Sequence, residues 1–278
     1  MAKSSKSKSV DYFHLPRPLW RKLKKCLPEP KRSKRGGRPP CPDRAVMNAL
    51  WYLLWTGCQW KALHRDWFGV CASAVHARFQ RWRQLGVFEK MMARLAKHYG
   101  KKRKVKWKWQ SLDSKSCPAP LGGEATGCNP TDRAKQGSKL HLLVDKRGAP
   151  LSVIITGANR HDKTAAVELV VAVVIARPDK AQHLCADAAY DATDVREFVV
   201  LEGYTPHIKA NRRRGKKPKP RGLGETTYPA RRWVVERTLS WLTKRRSIRT
   251  RWAKKVANWL AFVHFACTYI LFNMAVSG

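Results

Sequence analysis

Val105-Lys106-Trp107-Lys108-Trp109-Gln110-Ser111-Leu112-Asp113 is where the chain changes period. Val105, Trp107, Trp109, Ser111 and Asp113 fall on one face and Lys106, Lys108, Gln110 and Leu112 on the other, the two-residue repeat of a strand. The run predicts a strand ending at Asp113, on the face that carries the two tryptophans. Upstream the apolar residues recur at helical spacing. Downstream, strands and helices alternate.

Upstream, residues 1–14 read as a disordered basic tail and Pro28 to Pro42 as a basic Pro/Gly linker. Pro18 to Leu27 suits a short helix. Asp43 stands as an N-cap before a helix with Val46, Leu50, Leu53 and Leu54 inward, ending near Thr56-Gly57. Ser73 caps the next, Ala74–Leu85, which turns Val75, Phe79 and Trp82 inward and His76, Arg78, Arg81 and Arg83 outward. A third helix, Val87–Tyr99, completes a bundle over residues 15–100. Helix, tight turn and basic helix suit a helix-turn-helix whose second helix enters the major groove. The plainer alternative is that any surface helix of so basic a chain is basic. Lys101 to Lys108 reads as a basic linker.

Downstream, residues 109–278 form the second unit. Lys139–Val144 and Pro150–Thr156 read as a hairpin about Asp145-Lys-Arg-Gly148. Helix Thr164–Ala176, strand 183–187 ending in Asp187, helix Asp191–Glu202 and strand Thr205–Lys209 follow. Asp162 and Asp191 suit N-caps, and Asp145 suits a turn. A basic loop, 210–224, leads to the helix Ala230–Arg246. Three strands, helix, strand, helix, strand, helix predict an α/β unit with a mixed sheet flanked by helices.

With 278 residues, 12 Trp and 44% hydrophobic content, the chain has ample material for a core. A net charge of +38 is more than an ordinary metabolic enzyme needs and implies a polyanion: DNA, RNA or an anionic membrane. The eight cysteines form no CxxC, which argues for reduced thiols of a cytosolic protein rather than a disulfide framework. Ala257 to Val276 is apolar enough to raise a membrane. It contains Asn258, His264, Thr268 and Asn273, and the expectation is a buried helix and no membrane partner.

From Thr226 onward Glu236 is the sole acid, set among arginines and lysines. Arg232 lies one turn before it, close enough for a plain surface ion pair. Arg237, Lys244 and Arg251 recur every seven residues and predict a basic stripe. Asp113 and Asp187 stand at strand ends, where α/β sheets gather ligands. Were the two strands neighbours, with the Glu236 helix packed on the sheet through Val235, Leu239 and Leu242, three carboxylates would meet. Such a set suits two hard cations about 3.5–4 Å apart around a phosphodiester.

Several motifs now carry a resemblance. Leu112-Asp113-Ser114-Lys115, Gly122-Gly123-Glu124-x-Thr126-Gly127, Asn129-Pro-x-Asp132-Arg133 and Gly137-Ser-Lys-x-His141 come first. Gly157-Ala-Asn-Arg-His161-Asp162, Ala186-Asp187-x-x-Tyr190-Asp191 and Arg232-Trp-Val-Val-Glu236-Arg-Thr-x-x-Trp241-Leu242 follow in order. Together they resemble bacterial insertion-sequence transposases of the IS-five family. Trp55-Thr-Gly-Cys-Gln-Trp60 resembles that family's helix-turn-helix domain, so the likeness runs from about Leu15 to the end.

The resemblance implies an RNase H-like catalytic domain with a DDE triad on Asp113, Asp187 and Glu236. It implies Mg²⁺, two ions, with Mn²⁺ as a substitute. It also implies double-stranded DNA as partner, both terminal inverted repeats and target, a homodimer or higher oligomer, and the bacterial cytoplasm at the nucleoid. Arg232 matches the family's arginine, whereas Tyr228 and Lys244 sit one position from its tyrosine and lysine. Arg212, Arg213 and Arg214, with Arg232 and the 237/244/251 stripe, are candidates for DNA backbone contacts. His76, Arg78, Arg81 and Arg83 are candidates for the recognition helix. Two other readings stay open on the residues: a catalytically inactive sequence-specific DNA-binding protein, and an RNase H-like structure-specific nuclease.

Overall fold

The computed structural model describes residues 11–29, 40–209 and 232–276. The first helices are α1 (Arg17–Leu23), α2 (Asp43–Thr56), the one-turn α3 (Arg65–Phe68), α4 (Ala72–Gln84) and α5 (Val87–Arg103). Helix α2 stops where Gly57 turns left-handed at φ +63° and returns its N–H to the Leu53 carbonyl. Asp43 does not cap α2. It lies in the first turn and its carboxylate pairs with Arg78 of α4. Cys71, not Ser73, stands at the α4 cap. Helix α5 runs on to Arg103, so the first part of the expected linker is helical.

The strands are β1 (Trp109–Pro118), β2 (Gly127–Cys128), β3 (Gln136–Asp145), β4 (Pro150–Gly157), β5 (Gln182–Ala186) and β6 (Tyr204–Ile208). β1 lies at the centre, antiparallel to β3 and parallel to β5, with β4 beyond β3 and β6 beyond β5. This is the RNase H-like order expected of the second unit. Between the strands lie α6 (Ala166–Val171) and α7 (Thr193–Leu201). Helix α6 is shorter than the expected Thr164–Ala176 because the chain leaves it to place Val174 N on the Leu151 carbonyl, 3.0 Å away.

Asp113 does not end its strand, which corrects the sequence expectation. The antiparallel partner β3 pairs with β1 as far as Pro118, while parallel β5 pairs only with Trp109 to Ser111. The sheet therefore forks at Asp113, with backbone support on one side and a crevice on the other. Alternation sets the face. Leu112 joins the cluster under α6 and α7, with Leu143, Leu184 and Val199. Asp113 accordingly points to the opposite face, the one that Leu140, Leu142 and Val144 share with the following helices.

The hairpin turn is tied by Asp145, which is fully buried. Its carboxylate accepts hydrogen bonds from the backbone N–H groups of Lys106, Arg147 and Ala149 and from the Tyr99 hydroxyl. Gly148 at φ +89° closes the turn, and a Cβ there would lie 2.6 Å from the Thr238 hydroxyl.

Three helices follow: α8 (Trp233–Thr243), α9 (Arg246–Arg249) and α10 (Val256–Val276). α8 buries Val234, Val235, Leu239 and Leu242 on the sheet. It ends at Thr243, so the expected helical stripe through Arg237, Lys244 and Arg251 does not form. Arg251 is corrected most sharply. It is 1% exposed, and its guanidinium is spent on the carbonyls of Ala125, Ala253 and Lys254 and on the Ser138 hydroxyl.

α10 is long and apolar enough to cross a membrane by length and composition, yet 67% of its most apolar window is buried inside the fold. A helix apolar all round belongs in a core, and this one serves both halves of the chain. Its Phe262 stacks on Phe79 of α4 with centroids 5.1 Å apart, and its Tyr269 meets Trp51 of α2 at 4.8 Å. One apolar cluster consequently contains Leu50, Phe79 and Met91 together with Leu142, Leu239 and Phe265.

Candidate active site

Asp187 follows β5 directly and caps the short turn Ala188–Tyr190 with its own carboxylate. The parallel register pairs Ser111 with Cys185, so two residues on, Asp113 stands level with Asp187. Glu236 reaches the same place from α8. The three meet around Arg232, whose Nη1 is 2.6 Å from Asp187 Oδ1 and whose Nη2 is 3.1 Å from Glu236 Oε1. The plain i,i+4 ion pair is thus present, and the same guanidinium also spans to the sheet.

Burial pushes the Asp113 carboxyl up to about 6. The Ser114 N–H and the Arg232 charge hold it down, and the charges of Asp187 and Glu236 push it further up. In the unfolded chain the same carboxyl titrates near 3.8. Between those values the folded chain keeps a proton that the unfolded chain releases. Stability of the metal-free chain therefore falls as pH rises through that window. Asp113→Asn is expected to leave stability unchanged near pH 4 and to raise it at pH 7 by up to about 3 kcal/mol. Thermal melts in a chelator check this; equal melting temperatures at pH 7 would mean that burial of the carboxylate carries no such cost.

Arg232 also offers a test. Its own basicity is raised: burial works against the charge, but Asp187, Asp113 and Glu236 outweigh it. Arg232→Gln is expected to tighten Mn²⁺ binding about tenfold by removing a competing cation from two part-exposed pairs. Titration of the chain with Mn²⁺ followed by its electron-spin resonance would show this, and equal affinity would mean the guanidinium does not compete.

Behind Asp113 lies a polar layer that the sequence reading missed. The Ser114 hydroxyl donates to Asp162 Oδ1 at 2.9 Å, and Lys139 pairs with the same oxygen at 3.0 Å. Asp162 is therefore not the expected cap; His161 holds that position. Asp191 likewise pairs with Arg196 rather than capping α7. Tyr190 is buried and its hydroxyl is pushed well up, first by burial and then by Asp162, Asp113 and Asp187. His141 sits beside it, lowered to about 4 by burial and hence neutral. The signal was available, since all of these but Arg196 lie in the motifs that carried the resemblance.

The donor set is all carboxylate oxygen, which suits hard divalent cations. A cationic group already rests between two of its members, so the site attracts positive charge. Among the described residues, however, no three His, Cys, Asp or Glu side chains stand close enough to hold one ion. The set fits such ions in chemistry and neighbourhood, with Arg232 inside it.

Of the other candidate residues, Arg81 is exposed on α4, and His76 is exposed against Gln80 and the Trp60 ring. Arg78 is taken by Asp43 and lies over Trp82, and half-buried Arg83 donates to Gln80. Arg237 lies against Trp233 and Trp241 and donates to the Arg147 carbonyl. Lys244 is exposed. Arg212, Arg213, Arg214 and Tyr228 fall outside the described residues. A basic groove was overlooked: Lys90, Arg94, Lys97 and Lys101 of α5 face Lys22 and Lys25. Their i, i+4, i+7, i+11 spacing was legible as one helix face.

Residues 15–92 match the family described as "Putative transposase of IS4/5 family" and residues 95–271 match "Transposase DDE domain". The "Putative transposase for insertion sequence element IS402" of Burkholderia cepacia is 36% identical over 158 residues, 55% of this chain and 71% of that protein. The "Putative transposase for insertion sequence element IS6501" of Brucella ovis is 31% identical over 134 residues, covering 48% of this chain and 96% of that protein. Among solved structures, the piggyBac transposase synaptic complex with hairpin DNA aligns at TM-score 0.45 and 12% identity, over 84% of this chain and 64% of that one. The second family spans most of the chain, including Asp113, Asp187 and Glu236, and the chain belongs to the DDE transposases of insertion sequences, in the IS4/5 group.

Proposed function

We propose that this transposase binds the terminal inverted repeats of its insertion sequence, cleaves the phosphodiester at each end and joins the freed end to target DNA. The observation that carries this is the convergence of Asp113, Asp187 and Glu236 on Arg232. Water attacks the phosphorus and the bond to the 3′-oxygen breaks, leaving a 3′-hydroxyl. That hydroxyl then attacks a target phosphorus in line and releases a target 3′-hydroxyl, so one phosphodiester replaces another. Asp113, Asp187 and Glu236 would hold two Mg²⁺ ions, or Mn²⁺ in their place, which supply activation of the attacking oxygen and stabilisation of the leaving one.

Asp113 must first lose its proton, since a carboxyl near 6 is partly protonated in mildly acidic solution. Arg232, released from Asp187 and Glu236, becomes a contact for DNA phosphate. Arg81, Lys244 and the α5 groove add sequence-independent hold on the backbone, and α4 offers the recognition helix. The partner is double-stranded DNA, the working form a homodimer or higher oligomer, and the place the bacterial cytoplasm. Purified protein incubated with Mg²⁺ and DNA from the flanks of its own gene tests the reading. Nicking at the element ends followed by joined products is expected. Cutting that ignores the repeats and joins nothing would make it a structure-specific nuclease, and binding without any cutting an inactive DNA-binding protein.

A further inference from the structure

Arg245, just beyond α8, is 4% exposed, and among the described residues no carboxylate acts on it; its electrostatic neighbours are Tyr269 and Cys267. The guanidinium lies between the rings of Trp55 at 4.7 Å and Tyr269 at 5.2 Å. Its Nη1 donates to the Trp241 carbonyl, while its Nε is buried with no acceptor among the described residues. Burial lowers it to about 10. A buried cation with an idle donor and no counter-ion is costly and calls for a ligand.

That side chain lines a cavity of about 640 Å³ bounded by α2, α5, α8, α10 and the β3–β4 turn. Trp55, Tyr99, Trp241 and Tyr269 supply aromatic walls. Arg103, Arg147 and Lys244 join Arg245 around it, and among the described residues no Asp or Glu lines it. Trp55 Nε1 and Arg103 Nε are two more buried donors without an acceptor among the described residues. The volume falls within the range of small-ligand sites, roughly 300–1,000 Å³.

We propose that this cavity is a nucleotide pocket, taking a nucleobase against its aromatic walls and the attached phosphate on its cations. An inorganic anion would leave the rings unused, and an apolar ligand would leave the cations and idle donors unpaired. A free nucleotide and a nucleotide turned out of a DNA strand share this chemistry. The pocket does not depend on the reading of the carboxylate site, and binding, not activity, tests it.

The full chain would be titrated calorimetrically, at 0.3 M salt to suppress general anion binding, with dGMP, dAMP, ribose 5-phosphate and inorganic phosphate. One nucleotide per chain is expected, at least tenfold tighter than either base-free phosphate. Arg103→Gln with Lys244→Gln should weaken it at least tenfold without lowering the melting temperature. Arg245→Met should do the same if it folds, and the Arg103/Lys244 variant carries the test if it does not. Trp241→Leu should reduce nucleotide affinity towards that of ribose 5-phosphate. Nucleotides that bind no tighter than ribose 5-phosphate, or equally well to the Arg103/Lys244 variant, overturn the proposal. Element-end DNA carrying 2-aminopurine then identifies the source. A fluorescence change with wild type that Trp241→Leu lacks when equally saturated with DNA assigns the pocket to a strand nucleotide. None, with dGMP still bound, assigns it to a free one.

Discussion

Asp113→Asn, Asp187→Asn and Glu236→Gln are each expected to lower Mg²⁺-dependent cleavage and joining of element-end DNA by on the order of 10³-fold or more. The reason is geometric. Each side chain comes from a different element and each lies within the influence of Arg232, so none can stand in for another. The substitutions keep size and hydrogen-bonding shape while removing the negative charge. DNA binding should persist at wild-type level or rise slightly, because a carboxylate repels phosphate. Gel-shift and strand-transfer assays on the same preparations separate the two effects. A variant that retained near wild-type joining would remove its residue from the site. A variant that lost both binding and joining would point to misfolding, which a thermal melt distinguishes.

Arg251→Met is expected to lower folding stability by about 3–5 kcal/mol, the usual cost of breaking a buried, hydrogen-bonded charge arrangement by removing one partner. The guanidinium joins three segments: the loop at Ala125, the start of β3 at Ser138, and the approach to α10 at Ala253 and Lys254. Its backbone N–H also donates to the Pro118 carbonyl at 2.8 Å. Nearby, Gly123 at φ +115° packs so closely that a Cβ would lie 2.3 Å from the Lys254 carbonyl oxygen. Methionine fills much of the space but leaves these acceptors without donors. Denaturant titration gives the effect directly, and a loss below about 1 kcal/mol would show that water replaces the guanidinium. Where the variant is folded, its affinity for DNA and the salt dependence of that affinity should match wild type, because Arg251 offers no surface to phosphate.

Much of the site was legible in the residues. The two-residue alternation marked the first half of β1, though Val105 to Lys108 precede the strand, the apolar run marked β5, and Val235, Leu239 and Leu242 marked the buried face of α8. Those local periods put Asp113 and Asp187 on strands and Glu236 on a helix, the resemblance grouped the three, and the neighbouring of the two strands on which their meeting depended came from the fold. The seven-residue spacing of Arg237, Lys244 and Arg251 misled because a period describes side chains only while the helix lasts, and α8 ends at Thr243. Asp43, Asp162 and Asp191 were read as caps because a short acid before a helix is a local signal. Arg78 and Lys139 take the first two from elsewhere in the fold, and Arg196, five residues on in α7, takes Asp191.

The sequence by itself determined the charge, the strand and helix periods, the order of the motifs and hence the family. These depend on residue type and on neighbours a few positions apart. Only the tertiary structure decided that the sheet forks at Asp113, that Arg232 bridges Asp187 and Glu236, and that Arg245 and Arg251 lie inside rather than out. It also decided that α10 fills the core of the helical half as well as packing on the sheet. Burial and ion pairing are set by whichever distant segment arrives at the same place, and a guanidinium carries the same letter whether it meets phosphate, carbonyl oxygen or an aromatic ring.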